Sequence, residues 1–123
     1  MFITLSPASP DPLYKQIADQ IRDAIAVGDL AVNESLPSIR ELCEALKTSA
    51  ITVKRAYFDL EKEGCIITRA GLGSYVAEVD LLRLRERKLA EFRKEIARLV
   101  STGAKFNISR DDLVQLIAST KED

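Results

Sequence analysis

The fold of this chain is decided by residues 36–76, which read LPSIRELCEALKTSAITVKRAYFDLEKEGCIITRAGLGSYV. Ser38, followed three positions later by Glu41, predicts a capping box that starts one helix. Ser49 predicts the N-cap of the next helix after a connection of only a few residues. A helix-turn-helix needs a connection this short in order to cross its two helices steeply. The first half of the stretch therefore predicts a helix-turn-helix.

The second half of the stretch predicts a wing. Two β-rich runs, 65–69 and 74–78, are joined by residues 70–73. Gly71 and Gly73 supply the positive φ angles that a tight hairpin requires. A hairpin that follows a helix-turn-helix is the order of a winged helix-turn-helix, so the chain is predicted to bind DNA.

A further helix precedes this motif. Asp11 followed by Pro12 predicts its start, with a capping carboxylate and a proline at the first helical position, and Gly28 predicts its end. Apolar residues at spacings of three and four predict the buried faces of three helices. These faces are Leu13, Ile17, Ile21, Ala24 and Ile25 in the first helix, Ile39, Leu42, Cys43 and Leu46 in the second, and Val53, Ala56, Tyr57 and Leu60 in the third.

The C-terminal part of the chain has a different pattern. Apolar residues repeat every seven positions along a helix that is expected to begin after Asp80 and to stop near Gly103, which predicts a narrow coiled-coil-like seam. Ser109 predicts the N-cap of a final helix. Two chains that exchange these helices would bury both apolar faces, and the alternative is that both helices fold back on their own domain. The predicted dimerisation residues are Leu82, Leu89, Phe92, Ile96, Leu99, Leu113, Leu116 and Ile117.

Together these patterns predict a mainly α fold with a small β-hairpin. The architecture is a winged helix-turn-helix followed by a two-helix C-terminal dimerisation tail. The predicted division is an N-terminal segment at 1–10, a DNA-binding domain at 11–78 and a helical dimerisation region at 79–123.

Composition narrows the class of protein. The 123 residues suffice for one domain, or for a small domain with an appendage. The chain has no histidine, the commonest general base near neutral pH, so we predict that it is not an enzyme and binds no cofactor or metal. No apolar run approaches the roughly 18 residues that span a bilayer, and the first ten residues lack the pattern of a signal peptide, so we expect a cytoplasmic protein without membrane contact. Cys43 and Cys65 are predicted to be small buried thiols, with a disulfide or a redox role as the alternative.

Charge counts against a broadly basic DNA-binding protein. Residues 1–78 contain 8 Lys and Arg against 11 Asp and Glu, residues 79–123 contain 10 against 8, and the net charge is −1. Phosphate contacts need a basic face at the groove edge and not a basic protein. DNA binding is therefore predicted to rest on a few well-placed residues.

Those residues lie in three places. Arg40, in the first turn of the second helix, can clamp a phosphate or reach a guanine edge, and the alternative is an ion pair with Glu44. The start of the third helix is the end that enters a major groove, although Ile51 there is equally a candidate for packing. The wing tip can approach a minor groove or a phosphate, or it is a plain exposed turn. The predicted DNA-binding residues are Ser38, Arg40, Ser49, Ala50, Ile51, Thr52, Lys54, Arg69 and Gly71.

Two more cations of the third helix, Arg55 and Lys62, could contact phosphates. Each has an acidic neighbour on the helix, so they are predicted to belong to a solvated face.

Taken together, the motifs at 12–17, 36–42, 52–57, 63–64 and 71–76 resemble the DNA-binding domain of GntR-family bacterial transcription regulators. The short C-terminal part resembles the small YtrA-type subgroup, whose two-helix tail serves dimerisation. The resemblance implies a homodimer that binds a palindromic operator in double-stranded DNA and represses nearby genes, often transporter operons. It also implies DNA contacts at the positions of Arg40, Ser49, Thr52, Lys54 and Gly71.

Two positions depart from the family pattern. Many members have arginine where this chain has Ala50, and a basic residue where it has Leu72. Both changes remove positive charge from the DNA face, so we expect weaker electrostatic anchoring or a different base preference. A small-molecule effector is compatible with the tail, but no cluster of polar residues indicates one. The alternative function is a winged-helix protein-interaction module in a larger assembly, because a fold does not specify a function.

Overall fold

The computed structural model describes residues 3–122. In chain order its elements are α1 (Leu13–Ala26), α2 (Ile39–Leu46), α3 (Ala50–Lys62), β1 (Ile66–Arg69), β2 (Gly73–Val76), α4 (Leu81–Lys105) and α5 (Arg110–Ser119). The first five form a winged helix-turn-helix, and α4 and α5 form a two-helix tail. The predicted fold class is confirmed. The described residues divide into two compact units between Leu84 and Arg85, whereas the predicted domain limits at 10 and 78 stay a prediction.

The start of α1 differs from the prediction. Pro12 is the N-cap and not the first helical residue, and no side chain caps the helix. The Pro12 carbonyl accepts the backbone N–H of Lys15 and of Gln16, each at 3.1 Å. The Asp11 carboxylate, predicted to be the cap, instead pairs with the Lys15 ammonium at 3.5 Å. Leu13 is exposed because it lies on the outer side of this first turn.

The caps of α2 and α3 are confirmed. Ser38 Oγ accepts the backbone N–H of Glu41 at 3.0 Å, and the Glu41 carboxylate accepts the backbone N–H of Ser38 at 3.2 Å. Ser49 Oγ accepts the backbone N–H of Thr52 at 3.2 Å. Between the helices, Lys47 adopts a left-handed conformation with φ of 53°. This residue turns the chain sharply enough for α3 to begin three positions later.

The core of the first unit joins α1, α2, α3 and the hairpin. Its largest fully buried side chains are Ile17, Ile21, Val53, Leu60, Ile66 and Val76. The predicted buried face of α3 is confirmed at all four positions. Of the two thiols, Cys65 is buried as predicted, but Cys43 is only half-buried.

Two polar contacts tie this core together. The buried Arg22 guanidinium of α1 contacts Asp19 at 2.8 Å and grips the Glu63 carboxylate at the end of α3 with bonds of 2.9 and 3.0 Å. Burial alone would lower the pKa of Arg22, but the hydrogen bonds to Asp19 and Glu63 outweigh it and raise that pKa. The Tyr57 hydroxyl donates to the Pro37 carbonyl at 2.7 Å, which fixes the segment leading into α2 against α3.

The N-terminal segment is bound to α1 through two glutamine side chains. The Gln20 amide accepts from the Thr4 backbone N–H at 3.0 Å and donates to the Thr4 carbonyl at 2.9 Å. Gln16 does the same for Ser6, at 2.8 and 3.0 Å. Each amide thus satisfies both backbone groups of an extended residue, as a neighbouring strand would. Residues 3–6 are therefore packed as part of the winged unit.

The hairpin is shorter than predicted. β1 and β2 pair antiparallel with Arg69 opposite Gly73, so the connecting loop is 70–72 and Gly73 belongs to the strand. Cys65 lies outside β1, and β2 ends at Val76 instead of residue 78. At the turn, β2 begins one residue earlier than predicted, at Gly73, whose φ of 102° suits glycine. The residues lost from the predicted strands are at the open end, where the Ala77 backbone N–H still donates to the Cys65 carbonyl at 2.9 Å. The other edge of β2 is covered by the backbone of residues 33–36.

In the tail, α4 ends at Lys105, near Gly103 as predicted. Gly103 is buried, and a Cβ there would lie 3.3 Å from the Ile108 carbonyl oxygen. The glycine thus also allows the close return of the chain at the end of the helix. The predicted cap of α5 is confirmed, because Ser109 and Asp112 form a reciprocal capping box.

Candidate nucleic-acid interface

The first turns of α3 present a set of side chains to solvent. Ala50, Ile51 and Lys54 are exposed, with Ile51 at 80%, and Thr52 is half-buried. On the opposite side of the helix, Val53 belongs to the core-facing residues of α3 and is fully buried. Ile51 is thus a surface residue, which decides against the alternative that it packs in the core.

Two hydroxyls at this helix start are bonded to each other. Ser49 Oγ and Thr52 Oγ1 lie 2.9 Å apart, in addition to the capping bond from the Thr52 backbone N–H. A hydroxyl has one hydrogen and two lone pairs, so this pair retains capacity for a phosphate oxygen or a base edge. Their mutual bond holds both side chains in defined rotamers at the positive end of the helix dipole, which favours an anion.

Arg40 is a highly accessible cation at the start of α2. Its side chain is 89% exposed, and its Nε lies 3.3 Å from the Glu44 carboxylate. The ion pair weighed as the alternative therefore exists. An exposed i,i+4 pair contributes only about 0.3–0.5 kcal/mol, and Glu44 occupies one of five guanidinium N–H groups. The Arg40 guanidinium can consequently release Glu44 and bind a phosphate, or bind both at once.

Ser38 is less available than Arg40. Its Oγ accepts the Glu41 backbone N–H and so serves the cap of α2. The side chain is exposed at the same helix end as Arg40. Its DNA contact stays a prediction.

The wing contains a stacked arginine that the sequence patterns missed. The Arg69 guanidinium carbon lies 4.5 Å from the centroid of the Tyr75 ring, and the Tyr75 hydroxyl donates to the Leu72 carbonyl at 3.1 Å. Tyr75 thus contacts both the wing arginine and the loop that contains Gly71. The hairpin register contained the signal, because Ile67 faces Tyr75 and Arg69 is two residues further along the same face.

A second stacked arginine joins α3 to α1. The Arg55 guanidinium carbon lies 4.1 Å from the Tyr14 ring centroid, its Nη2 donates to the Tyr14 hydroxyl at 3.3 Å, and its Nε lies 3.7 Å from Asp59. Arg55 is exposed, as predicted for a solvated face, but it is also held in place from two sides. Tyr14 was not identified from the sequence.

Half of the cations in residues 1–78 are paired with acids. Of the eight Lys and Arg in residues 1–78, four form ion pairs, namely Lys15, Arg22, Arg40 and Arg55. The predicted DNA-binding residues all lie in the winged unit, and each is exposed except the half-buried Thr52. The unit therefore offers single exposed cations at α2, α3 and the wing, and not a continuous basic surface.

Within residues 3–122, no three His, Cys, Asp or Glu side chains come together as a metal site would need. None of the helices there is both long and apolar enough to cross a membrane.

Comparison with known proteins gives consistent matches. Residues 13–76 match the family described as bacterial regulatory proteins, gntR family. Over 98 residues the chain is 34% identical to the HTH-type transcriptional repressor YtrA of Bacillus subtilis (strain 168), which covers 80% of this chain and 75% of that protein.

Solved structures agree with this match. A GntR family transcriptional regulator from Listeria monocytogenes has a TM-score of 0.73 at 26% identity and covers 95% of this chain and 100% of its own. YtrA from Sulfolobus acidocaldarius, a GntR-family transcription factor, has a TM-score of 0.60 at 38% identity, with 76% and 97% covered. AraR(DBD) in complex with operator ORX1 has a TM-score of 0.55 at 27% identity, with 61% and 93% covered.

Proposed function

This chain belongs to the GntR family of DNA-binding bacterial transcriptional regulators, and we propose that it is a homodimeric repressor that binds a palindromic operator. In this proposal α3 enters the major groove, Arg40 and the wing contact the flanking backbone, and the tail joins two copies. The observation that carries the proposal is the start of α3, where exposed side chains stand directly opposite a buried core stripe.

The roles at α3 follow from side-chain chemistry. Ala50 and Ile51 are apolar and exposed, so they suit the methyl groups of thymines in a major groove. Lys54 is one turn further along and suits a phosphate or a base acceptor. The bonded hydroxyls of Ser49 and Thr52 suit a phosphate at the helix start. With Ala50 in place of an arginine, base readout here relies more on apolar contact.

Arg40 and the wing supply the remaining contacts of each half-site. Arg40 stands at the start of α2, the helix that crosses the DNA backbone in a helix-turn-helix. Arg69 is held at the wing by Tyr75, and the loop residue Gly71 is exposed beside it. A guanidinium at a wing tip suits a phosphate or the negative potential of a narrow minor groove.

Dimerisation is supported by the apolar surface of the tail. All residues of α4 and α5 are described, and the one buried among them is Gly103. Large apolar side chains are exposed along both helices, and such a surface marks an interaction site. They include Leu82, Phe92, Ile96, Leu99, Val114, Leu116 and Ile117, and Phe106 in the connection between the two helices is also exposed. The predicted dimerisation residues Leu89 and Leu113 are half-buried. A two-fold dimer would bury this surface and would match two inverted half-sites.

A binding experiment tests the DNA contacts. An operator is first isolated by selection from random duplexes, and binding is then followed by fluorescence anisotropy. Because a contact to a phosphate or base is worth about 1–3 kcal/mol, we expect Arg40→Ala and Lys54→Ala each to weaken binding about tenfold or more. Lys62→Ala is the matched control, since it removes the same charge from the far end of α3. Equal effects of Lys54→Ala and Lys62→Ala would contradict the placement of α3.

The selected sequence and the mass of the protein test the dimer. We expect an inverted repeat whose half-site centres are about 10 base pairs apart, or a multiple of that. Light scattering should give twice the 13.7 kDa of one chain. A monomer at micromolar concentration, or a selected site without inverted symmetry, would exclude this arrangement.

The target genes and the place of action are the finer part of the proposal. On the family resemblance we propose a cytoplasmic repressor of a transporter operon and no catalytic activity. Chromatin immunoprecipitation, combined with transcript levels in a deletion strain, tests it. Occupied promoters whose transcripts fall on deletion would instead indicate an activator.

A further inference from the structure

α4 has a basic stripe that neither the core nor the proposed half-site contacts use. At about 100° per residue, Arg87, Lys94, Arg98 and Lys105 fall within an arc of about 40° on the helix surface. All four side chains are exposed. With a rise of about 1.5 Å per residue, the stripe is about 27 Å long. We call these four residues the basic stripe.

The basic stripe lies opposite the apolar seam of the same helix. Leu89, Phe92, Ile96 and Leu99 fall on an arc of about 80° whose centre is about 160° from that of the stripe. If the seam is covered by a second copy, the stripe therefore remains exposed to solvent. The apolar seam and the basic stripe can then act at the same time.

Charge on α4 is strongly one-sided. The helix contains eight Lys and Arg but only three glutamates, at 86, 91 and 95. Glu91, which borders the stripe, pairs with Lys88 at 3.1 Å, and Glu86 pairs with Arg85 at 3.8 Å. Arg87, Lys94, Arg98 and Lys105 thus form a line of cations with Glu91 at its border, and the complement of this surface is a polyanion.

The winged unit indicates which polyanion this is. That unit has more acids than bases, and half of its cations are already in ion pairs. A protein that binds DNA gains most of its nonspecific affinity from cations that displace counterions from phosphates. In this chain the excess of cations over acids lies on α4, with eight Lys and Arg against three Glu, and not in residues 1–78, with 8 against 11. The tail is therefore the region that can supply nonspecific affinity.

We propose that the basic stripe of α4 binds the phosphate backbone of duplex DNA that flanks the operator. This inference rests on the proposed operator binding and adds a second, sequence-independent contact to it. Because the contact is made to phosphates, the binding affinity should depend on the length of the flanking DNA and not on its sequence. The stripe raises affinity and salt dependence without changing the operator that α3 selects.

The test compares two DNA probes and three proteins. One probe contains the selected operator alone, and the other extends it by about 20 base pairs of scrambled sequence on each side. The stripe variant is Lys94→Gln/Arg98→Gln. The control variant is Arg93→Gln/Arg110→Gln, which removes equal charge from exposed tail positions outside the stripe. Light scattering first establishes that all three proteins have the same mass.

We expect the wild type and the control variant to bind the long probe about tenfold more tightly than the short one, and the stripe variant to lose that difference. The slope of log affinity against log salt on the long probe should decrease in magnitude by about 0.9 for each phosphate that the stripe variant no longer neutralises. Affinity for the short probe should stay within about twofold in all three proteins, since that probe has no phosphates outside the operator.

Several results would overturn the inference. They are equal binding of both probes by the wild type, retention of the long-probe advantage in the stripe variant, or an equal loss in the control variant. A mass that depends on the stripe in low salt without DNA would assign the stripe to the acidic surface of another copy instead. Failure of the wild type to bind either probe would refute the operator proposal itself, which is a separate outcome.

Discussion

The two compact units of this chain differ in how they satisfy their apolar residues. In the winged unit, Ile17, Ile21, Val53 and Leu60 are all fully buried, and the polar bridge of Arg22 closes the core. In the tail, Gly103 is the one buried residue of α4 and α5. A core that excludes water within one chain is complete by itself, whereas the exposed leucines and phenylalanines of the tail form a surface of the kind that marks an interaction site. The winged unit thus completes its own core, and the tail is the surface that we propose for dimerisation.

The two units also differ in charge. In our proposal the winged unit contacts DNA through a few separate cations such as Arg40, Lys54 and Arg69, and residues 1–78 are acidic as a whole. The tail contains the excess of positive charge, and much of it is arranged along α4. The proposed roles divide in the same way, with sequence selection in the winged unit and general affinity in the tail.

The largest effect is expected from Arg22→Ala. The guanidinium is buried and holds both oxygens of Glu63, so its removal takes two charge-assisted hydrogen bonds from that carboxylate, whereas Asp19 keeps its 2.7 Å pair with Lys15. We expect a loss of about 3 kcal/mol in the free energy of unfolding of the winged unit, near the lower end for a broken buried pair because Glu63 and Asp19 keep some water contact. Urea unfolding followed by circular dichroism at fixed protein concentration measures it.

Arg22→Lys is the control for charge. It keeps the cation but cannot hold a carboxylate by two parallel bonds, so it should fall between the wild type and Arg22→Ala. Unchanged stability of Arg22→Ala would refute the view that this bridge closes the core.

The next effect is expected from Ile96→Glu, which introduces a charge into the middle of the apolar seam. We expect the protein to become monomeric and to lose about 100-fold in operator affinity, because one half-site then binds without the other. Ala97→Glu is the matched control, since the neighbouring residue lies outside the seam. Light scattering and anisotropy separate the two outcomes. A dimeric Ile96→Glu protein would show that the seam is not the interface.

A smaller effect is expected from Tyr57→Phe, which removes the hydroxyl that donates to Pro37. We expect a loss of about 1 kcal/mol at pH 7, with no change in dimer mass. Burial raises the pKa of the Tyr57 hydroxyl, and Glu41 and Cys43 add to this effect. Because the pKa of Tyr57 is higher in the folded protein, the stabilisation of the fold by the protonated hydroxyl is complete below the pKa of tyrosine in the unfolded chain, about 10. That stabilisation is lost as the pH rises further.

The pH dependence supplies the check for Tyr57. Unfolding free energies of wild type and Tyr57→Phe, measured from about pH 7 to 11, should differ most below the unfolded pKa of about 10 and converge above it. A constant difference across this range would mean that the hydroxyl does not titrate as its burial requires.

The smallest effect is expected at the wing. Tyr75→Leu removes the ring beneath Arg69 and should weaken operator binding about threefold, since an exposed cation–π contact is worth about 0.5–1 kcal/mol. Tyr75→Phe keeps the ring and loses only the bond to Leu72, so it should bind more tightly than Tyr75→Leu. In an Arg69→Ala background, Tyr75→Leu should add little. An equal effect in both backgrounds would assign Tyr75 to wing folding instead of to Arg69.

Local signals predicted most of the fold. The capping box at Ser38, the N-caps at Ser49 and Ser109 and the core face of α3 are all as expected. These features depend on residues three or four positions apart, so they can be read from a linear chain. Errors occurred at the start of α1, where Pro12 and not Asp11 is the N-cap, and in the bounds of the two strands.

The candidate site was predicted in part, for the same physical reason. Exposed positions at the start of α3 followed from its buried stripe, because a helix turns by about 100° per residue and one face implies the other. The partners of Arg69 and Arg55 did not follow in this way. Tyr75 reaches Arg69 across a hairpin, and Tyr14 reaches Arg55 from 41 residues away.

The order of residues in this chain thus suffices for a winged helix-turn-helix, for the exposed start of α3 and for an apolar tail, because each depends on short-range periodicity and caps. The packed structure alone revealed which cations are already committed to acids, which arginines are stacked and held, and that residues 3–6 pair with the glutamines of α1. Those properties arise from contacts between distant segments, and such contacts exist only after the chain has folded.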